Sequence, residues 1–219
     1  YNGTVQELRQ YEQTYVGEVR SVLDLGCLPL LTVRPFLQCM ELYPKIGLTF
    51  CEHRMENCAR LLLSGEADVG FAITPIDEAA FDSIVLLQIQ SIVYMPKGHP
   101  LTKLSRITLE DFRGFPLAIC GSSSYYSIIR ECAATGFDPR IVMSTSDIST
   151  TLQCVQSGAG ISPFFQGINK SFVCPEDVVM RPFYREPAWQ LCLILPKEKE
   201  IAASTQLFID HIRRFFEKY

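Results

Sequence analysis

The chain has 219 residues, of which 47% are hydrophobic types and 20% charged, with 13 glycines and 13 prolines. That composition describes a globular protein with room for one large domain or two lobes of roughly 100 residues, and it excludes collagen-like or disordered chains. No apolar run approaches the ~20 residues of a membrane-crossing helix. Lys plus Arg total 20 against 24 Asp plus Glu, a net charge of −4, which is too acidic for a stretch that grips DNA phosphates by itself.

Val5, Leu8, Tyr11 and Tyr15 recur at helical spacing and Gly17 ends the pattern, so residues 1–16 read as a helix already under way at Tyr1. A strand is expected over Val19–Leu25, then a turn at Gly26 and a helix to about Leu42, its first turn constrained by Pro29 and Pro35. Strand Leu48–Cys51, helix Met55–Ser64 and the nearly continuous apolar strand Asp68–Ile73 complete a β-α-β-α-β series, the pattern of a doubly wound α/β lobe. Ile84–Met95 reads as one further strand. Pro96-Lys97-Gly98-His99-Pro100 punctuates it and is the expected crossover to a second lobe.

A second series follows: strand Pro116–Ile119, helix Ser124–Thr135, strand Arg140–Met143, helix Ile148–Gln156 and a short strand from Ile161. Trp189–Leu195 reads as a returning strand, and the last helix carries Leu207, Phe208, Ile212 and Phe215 on one face. The fold class is therefore α/β, with two lobes, two crossovers and a ligand cleft between them at the carboxyl ends of the strands. The division is 1–16, 17–95 (first lobe), 96–194 (second lobe) and 195–219 (return to the first).

Nine cysteines form an odd set, and four of them (Cys39, Cys51, Cys154 and Cys192) fall inside apolar helix or strand patterns, where a thiol packs as a small hydrophobe. With no secretory leader visible, a reducing cytoplasm is expected, without a disulfide framework.

Several stretches together resemble the LysR-type transcriptional regulators in their effector-binding domain. They are Leu63-Ser64-Gly65-Glu66-Ala67-Asp68-Val69-Gly70-Phe71-Ala72-Ile73, His99-Pro100-Leu101 followed by Ile107-Thr108-Leu109-Glu110-Asp111-Phe112, and Val155-Gln156-Ser157-Gly158-Ala159-Gly160-Ile161. Tyr43-Pro44 and Phe208–Ile212 also fit. The resemblance implies a fold like the type II periplasmic binding proteins and a small-molecule effector in the cleft. It also implies a homodimer or tetramer built through the Val33–Leu42 and Ser124–Thr135 helices, with Tyr125, Tyr126 and Ile129 as candidates for the exposed surface. Residues 1–16 would be the end of a linker helix, and DNA would be bound only through an N-terminal helix-turn-helix outside these residues.

The expected effector contacts are Asp24, Gly26, Cys27 and Leu28 in the first strand-to-helix loop, Thr74 and Pro75 after the third strand, Ser122, Ser123 and Ser124 before a helix, and Thr145 and Ser146 before the next. Hydroxyls and free amides at a helix N-terminus favour an anion, although the same serines also serve as plain N-caps, as does Asp147. Asp24 has two placements: turned into the cleft it would bind an amino group, and turned outward it would pair with a surface cation.

Weaker readings are a redox pair involving Cys120 and Cys132, and a metal at Cys51, His53 and Cys58 without the support of a C-x-x-C pair. His99 fits a loop-shaping role, and His211 has no partner identifiable in sequence. No nucleophile elbow, P-loop or G-x-G-x-x-G occurs, and Gly158-Ala159-Gly160 reads as a tight turn. Neither catalysis, a cofactor nor a metal is expected. A solute-binding protein of a transporter, with the same fold, is the alternative.

Overall fold

The computed structural model describes residues 16–165, 174–184 and 188–218, apart from the side chains of 122–124. Strand β1 (Gly17–Asp24) pairs in parallel with β2 (Ile46–His53) and with β3 (Val69–Ile73). Every residue of β3 is buried, as a strand covered on both faces requires, and its VGFAI sequence supplies no polar side chain. Alternation along the strands feeds two cores. Val19, Leu23 and Phe71 join Leu30, Phe36 and Phe208 on one face, whereas Val22, Ala72 and Ile194 meet Cys58 and Leu62 on the other.

The helix expected to run to Leu42 is two helices, α1 (Leu28–Leu31) and α2 (Arg34–Leu42), broken at Thr32, whose φ is 58°. Pro35 has no N–H to offer the Leu31 carbonyl, so one uninterrupted helix cannot form. Helix α3 (Met55–Leu63) covers the opposite face of the sheet.

The apolar run Ile84–Met95 is likewise two strands, β4 (Phe81–Gln88) and β5 (Ser91–Pro96), which lie in different sheets. Lobe two is built from β5 with β6 (Leu117–Cys120), helix α4 (Ser122–Ala134), β7 (Ile141–Thr145), helix α5 (Ile148–Gln156), β8 (Ser162–Phe165) and β9 (Val178–Pro182). Strand β10 (Gln190–Pro196) and helix α6 (Ala203–Phe216) belong to the first lobe. There the strand order is β2-β1-β3-β10-β4, with β10 antiparallel to both neighbours. In the second lobe β8-β5-β9 and β6-β7 are joined by a bridge between Leu117 and Ile161.

Sheet membership moves both crossings. The first lies at Ile89–Gln90, where the Ile89 N–H donates to the Trp189 carbonyl at 2.9 Å, and the return reaches the first sheet at Gln190. The division at Met95 and Ile194 is corrected accordingly. Pro96–Pro100 is not a crossover but a turn inside the second lobe, held by the Lys97 N–H on the Asp177 carbonyl at 2.9 Å. The first crossing, Ile89–Gln90, contains neither glycine nor proline and so carries no Gly/Pro signal of a boundary. Residues 1–15, assigned from sequence to a linker helix, lie outside the described residues.

Candidate functional site

The two lobes meet loop against loop. Gly26 follows β1 and Gly121 follows β6, both with positive φ (102° and 91°). A Cβ added to Gly121 would stand 2.8 Å from the Leu25 carbonyl oxygen, and one added to Gly26 would lie 3.6 Å from the Gly121 Cα. Only glycine at 121 lets the backbones approach this closely. The Gly121 N–H donates to the Thr145 carbonyl at 2.9 Å, which ties the ends of β6 and β7 together.

A cavity of about 790 Å³ opens beside this contact. Leu25 and Arg54 wall it from the first lobe, facing Gly121, Tyr125 and Tyr126 and the β7 segment from Ile141 to Ser146. A second groove of about 550 Å³ lies between α3 and α4, with Met55, Ala59, Pro75 and Phe81 opposite Tyr126 and Ile129. Exposed Tyr126 lines both.

Of the residues expected from sequence, Thr145 and Ser146 line the larger cavity, and Gly26 packs on the Gly121 that does. Asp24 is fully buried, which overturns the outward placement beside a surface cation; it ends a strand whose last four residues are all buried. Cys27 is fully buried and its thiol donates to the Phe71 carbonyl at 3.6 Å; burial pushes that thiol well up. The backbone N–H groups of Gly26 and Leu28 favour the charged form of the Glu52 carboxyl at the end of β2. Desolvation, with the Asp24 charge, outweighs them and keeps that carboxyl above its ordinary range.

Thr74 Oγ1 accepts from the Gln190 N–H at 2.9 Å, which commits the hydroxyl to the first sheet, and the Thr74–Pro75 bond is cis. Pro75 faces the smaller groove. The backbone of Ser122, Ser123 and Ser124 opens α4, whereas their side chains lie outside the described residues. Asp147 caps α5, accepting from the N–H groups of Ser149 and Thr150 at 2.9 and 3.1 Å, and these bonds, that of the Thr150 hydroxyl foremost, hold its carboxyl below the usual range.

Sequence reasoning missed Arg54, Ile141, Val142, Met143 and Ser144 as cavity residues. Arg54 was findable: it directly follows β2, at the same carboxyl edge of the sheet that had already drawn attention after β1 and β3. The β7 residues were not, because their access depends on β7 being an edge strand.

Cys120 and Cys132 are both fully buried, and burial pushes each thiol up to about 11, so neither offers a thiolate near neutral pH. Cys51 is exposed on β2, whereas buried Cys58 donates to the His53 carbonyl at 3.7 Å. Among the described residues, no group of three His, Cys, Asp or Glu is arranged to hold a metal ion. None of the described helices is long and apolar enough to cross a membrane.

Two α/β lobes with a cavity walled by both correspond to one family in sequence as well. Residues 17–217 match the LysR substrate binding domain. The chain belongs to that family. The LysR-type relatives include the uncharacterised HTH-type transcriptional regulator YvbU of Bacillus subtilis, 26% identical over 177 residues, 80% of this chain and 59% of that protein. The transcriptional activator LysR of Escherichia coli is 23% identical over 217 residues, covering 95% of this chain and 66% of its own length. The chain thus spans less than two thirds of either relative. Among solved structures, the regulatory domain of Synechocystis CcmR in complex with 2-PG superposes with a TM-score of 0.79 at 17% identity, covering 92% of this chain and 98% of that one. At that identity the likeness establishes the two-lobed fold.

Proposed function

We propose that this chain is the effector-sensing and oligomerisation part of a LysR-type transcriptional regulator, which binds a small polar or anionic metabolite between its lobes to control DNA binding by a helix-turn-helix elsewhere in the protein. The observation that carries this reading is the 790 Å³ cavity with Leu25 and Arg54 on one lobe and Thr145 and Ser146 on the other. A ligand touching both walls stabilises one relative orientation of the lobes, to the extent that its affinity differs between orientations. The CcmR regulatory domain, of the same fold, was solved with 2-PG bound. The protein is a cytoplasmic regulator and not an enzyme.

In this reading Thr145 and Ser146 contact effector directly, the Ser122–Ser124 segment supplies the facing edge, and Asp24, Gly26, Cys27, Leu28, Thr74 and Pro75 shape the floor and rim. The assembly surface is the exposed stripe of α2, where Val33, Leu37 and Leu42 are about half exposed, set against α4 of a second copy. Leu37→Asp is expected to convert the dimer to a monomer in light scattering, and an unchanged mass would remove α2 from the interface.

A thermal-shift screen of amino acids, aromatic carboxylates and sugar phosphates tests the sensing role, because a ligand of the native state raises its melting temperature by mass action. A compound whose shift shrinks in Ser146→Ala and in Thr145→Val supports the cleft. Shifts that survive both substitutions place the ligand elsewhere.

A further inference from the structure

We propose that Arg54 is the anchor for a single acidic group on the ligand, and that the cleft selects a molecule carrying one such group on a flat or aliphatic apolar body. The inference rests on the reading of the cleft as the effector site and names the chemistry of what enters it. Among the described residues lining the larger cavity, Arg54 is the only charged one. Its guanidinium makes no hydrogen bond or ion pair among the described residues, whereas Arg20, Arg60 and Arg113 are each paired with a carboxylate at 2.6–2.8 Å.

One helix N-terminus at the cavity that would otherwise draw an anion is already taken by a carboxylate of the protein, whereas α3 and α4 begin without a side-chain cap. Asp147 occupies the N-terminus of α5, and the Glu52 carboxyl lies by the first loop at the end of β2. An incoming anion meets repulsion at both places and attraction at Arg54, whose planar fork suits a carboxylate or a phosphate monoester.

The remaining walls set the rest of the ligand. Tyr125, Tyr126, Ile141 and Met143 offer apolar and aromatic surface, and Thr145 Oγ1, which accepts from the Asp147 N–H at 3.1 Å, keeps its own proton to donate. Arg54 stands on the first lobe and the hydroxyls on the second, so one ligand molecule spans the gap.

The test uses the 219-residue chain and three probes of the same shape: benzoate, benzamide and benzylamine, titrated by NMR against the wild type, Arg54→Gln and Arg54→Lys. Benzoate is expected to bind about tenfold more tightly than benzamide, and benzylamine more weakly than either. Arg54→Gln should abolish the preference and Arg54→Lys retain part of it, with phenyl phosphate in place of benzoate distinguishing a phosphate-bearing ligand from a carboxylate. Equal binding of benzoate and benzamide, or a preference untouched by Arg54→Gln, overturns the role of Arg54 while leaving the cleft intact. If no probe of any charge perturbs Thr145, Ser146 or Tyr126, the cleft reading falls with it.

Discussion

Trp189 Nε1 donates to Ser127 Oγ at 3.3 Å, tying the strand that returns to the first lobe to helix α4 of the second. Ser127 in turn donates to Glu131 one helical turn on. The indole is 1% exposed and meets Phe165 and Phe183 edge-on at 5.4 and 6.3 Å, so it sits where any change of lobe angle must repack it. Trp189→Phe keeps the ring contacts and removes the donor. A loss of about 1–2 kcal/mol in urea unfolding is expected, from one buried hydrogen bond and a small void. Because Trp189 is the only tryptophan, its emission should also shift when a ligand closes the lobes.

Gly121 marks the limit of closure. Its φ of 91° and ψ of 154° fall in a region nearly confined to glycine, where another residue costs roughly 1–3 kcal/mol. Gly121→Ala adds a methyl 2.8 Å from the Leu25 oxygen, whereas Gly26→Ala meets only an ordinary contact at 3.6 Å. Both variants should lose stability, but only Gly121→Ala should enlarge the radius of gyration in X-ray scattering. Equal radii for the two would show that strain alone is at work.

Stability should fall on mild acidification. His211 is buried beneath α2, with Nε2 2.9 Å from the Pro35 carbonyl; desolvation lowers its pKa, Arg214 adds to this, and the Pro35 bond opposes it. A group depressed in the native state contributes its full stability above its unfolded value of about 6.5 and loses it as pH falls through the lower native value. The urea midpoint is therefore expected to drop between pH 7.5 and 5.5, and less steeply in His211→Gln. His99, also lowered by desolvation, should leave a residual slope.

Thiol reactivity should follow burial. Cys51 is exposed, Cys154 and Cys174 are half-buried, and Cys27, Cys39, Cys58, Cys120, Cys132 and Cys192 are buried. A disulfide reagent should label Cys51 first in the native protein, a phase that Cys51→Ser removes, and reach the six buried thiols only on unfolding. Peroxide should not join Cys120 to Cys132; a peptide linking the two by mass spectrometry would contradict this.

The sequence by itself determined the α/β order of elements and the returning strand, because hydrophobic periodicity and glycine turns are local properties of the chain, while the family was legible only through the resemblance of motifs such as Leu63–Ile73. It also marked the carboxyl ends of the strands as the ligand side, and Thr145 and Ser146 do line the cavity there. Tertiary structure alone decided where the lobes part. Ile84–Met95 reads as one strand because the apolar pattern continues unbroken, yet its two halves pair with different sheets. Partnering likewise decided the fate of Asp24, sunk at a strand end, and of Gly26, which packs on Gly121 of the other lobe. Burial and hydrogen-bond partners depend on which distant segments come to lie alongside, and local pattern does not encode that.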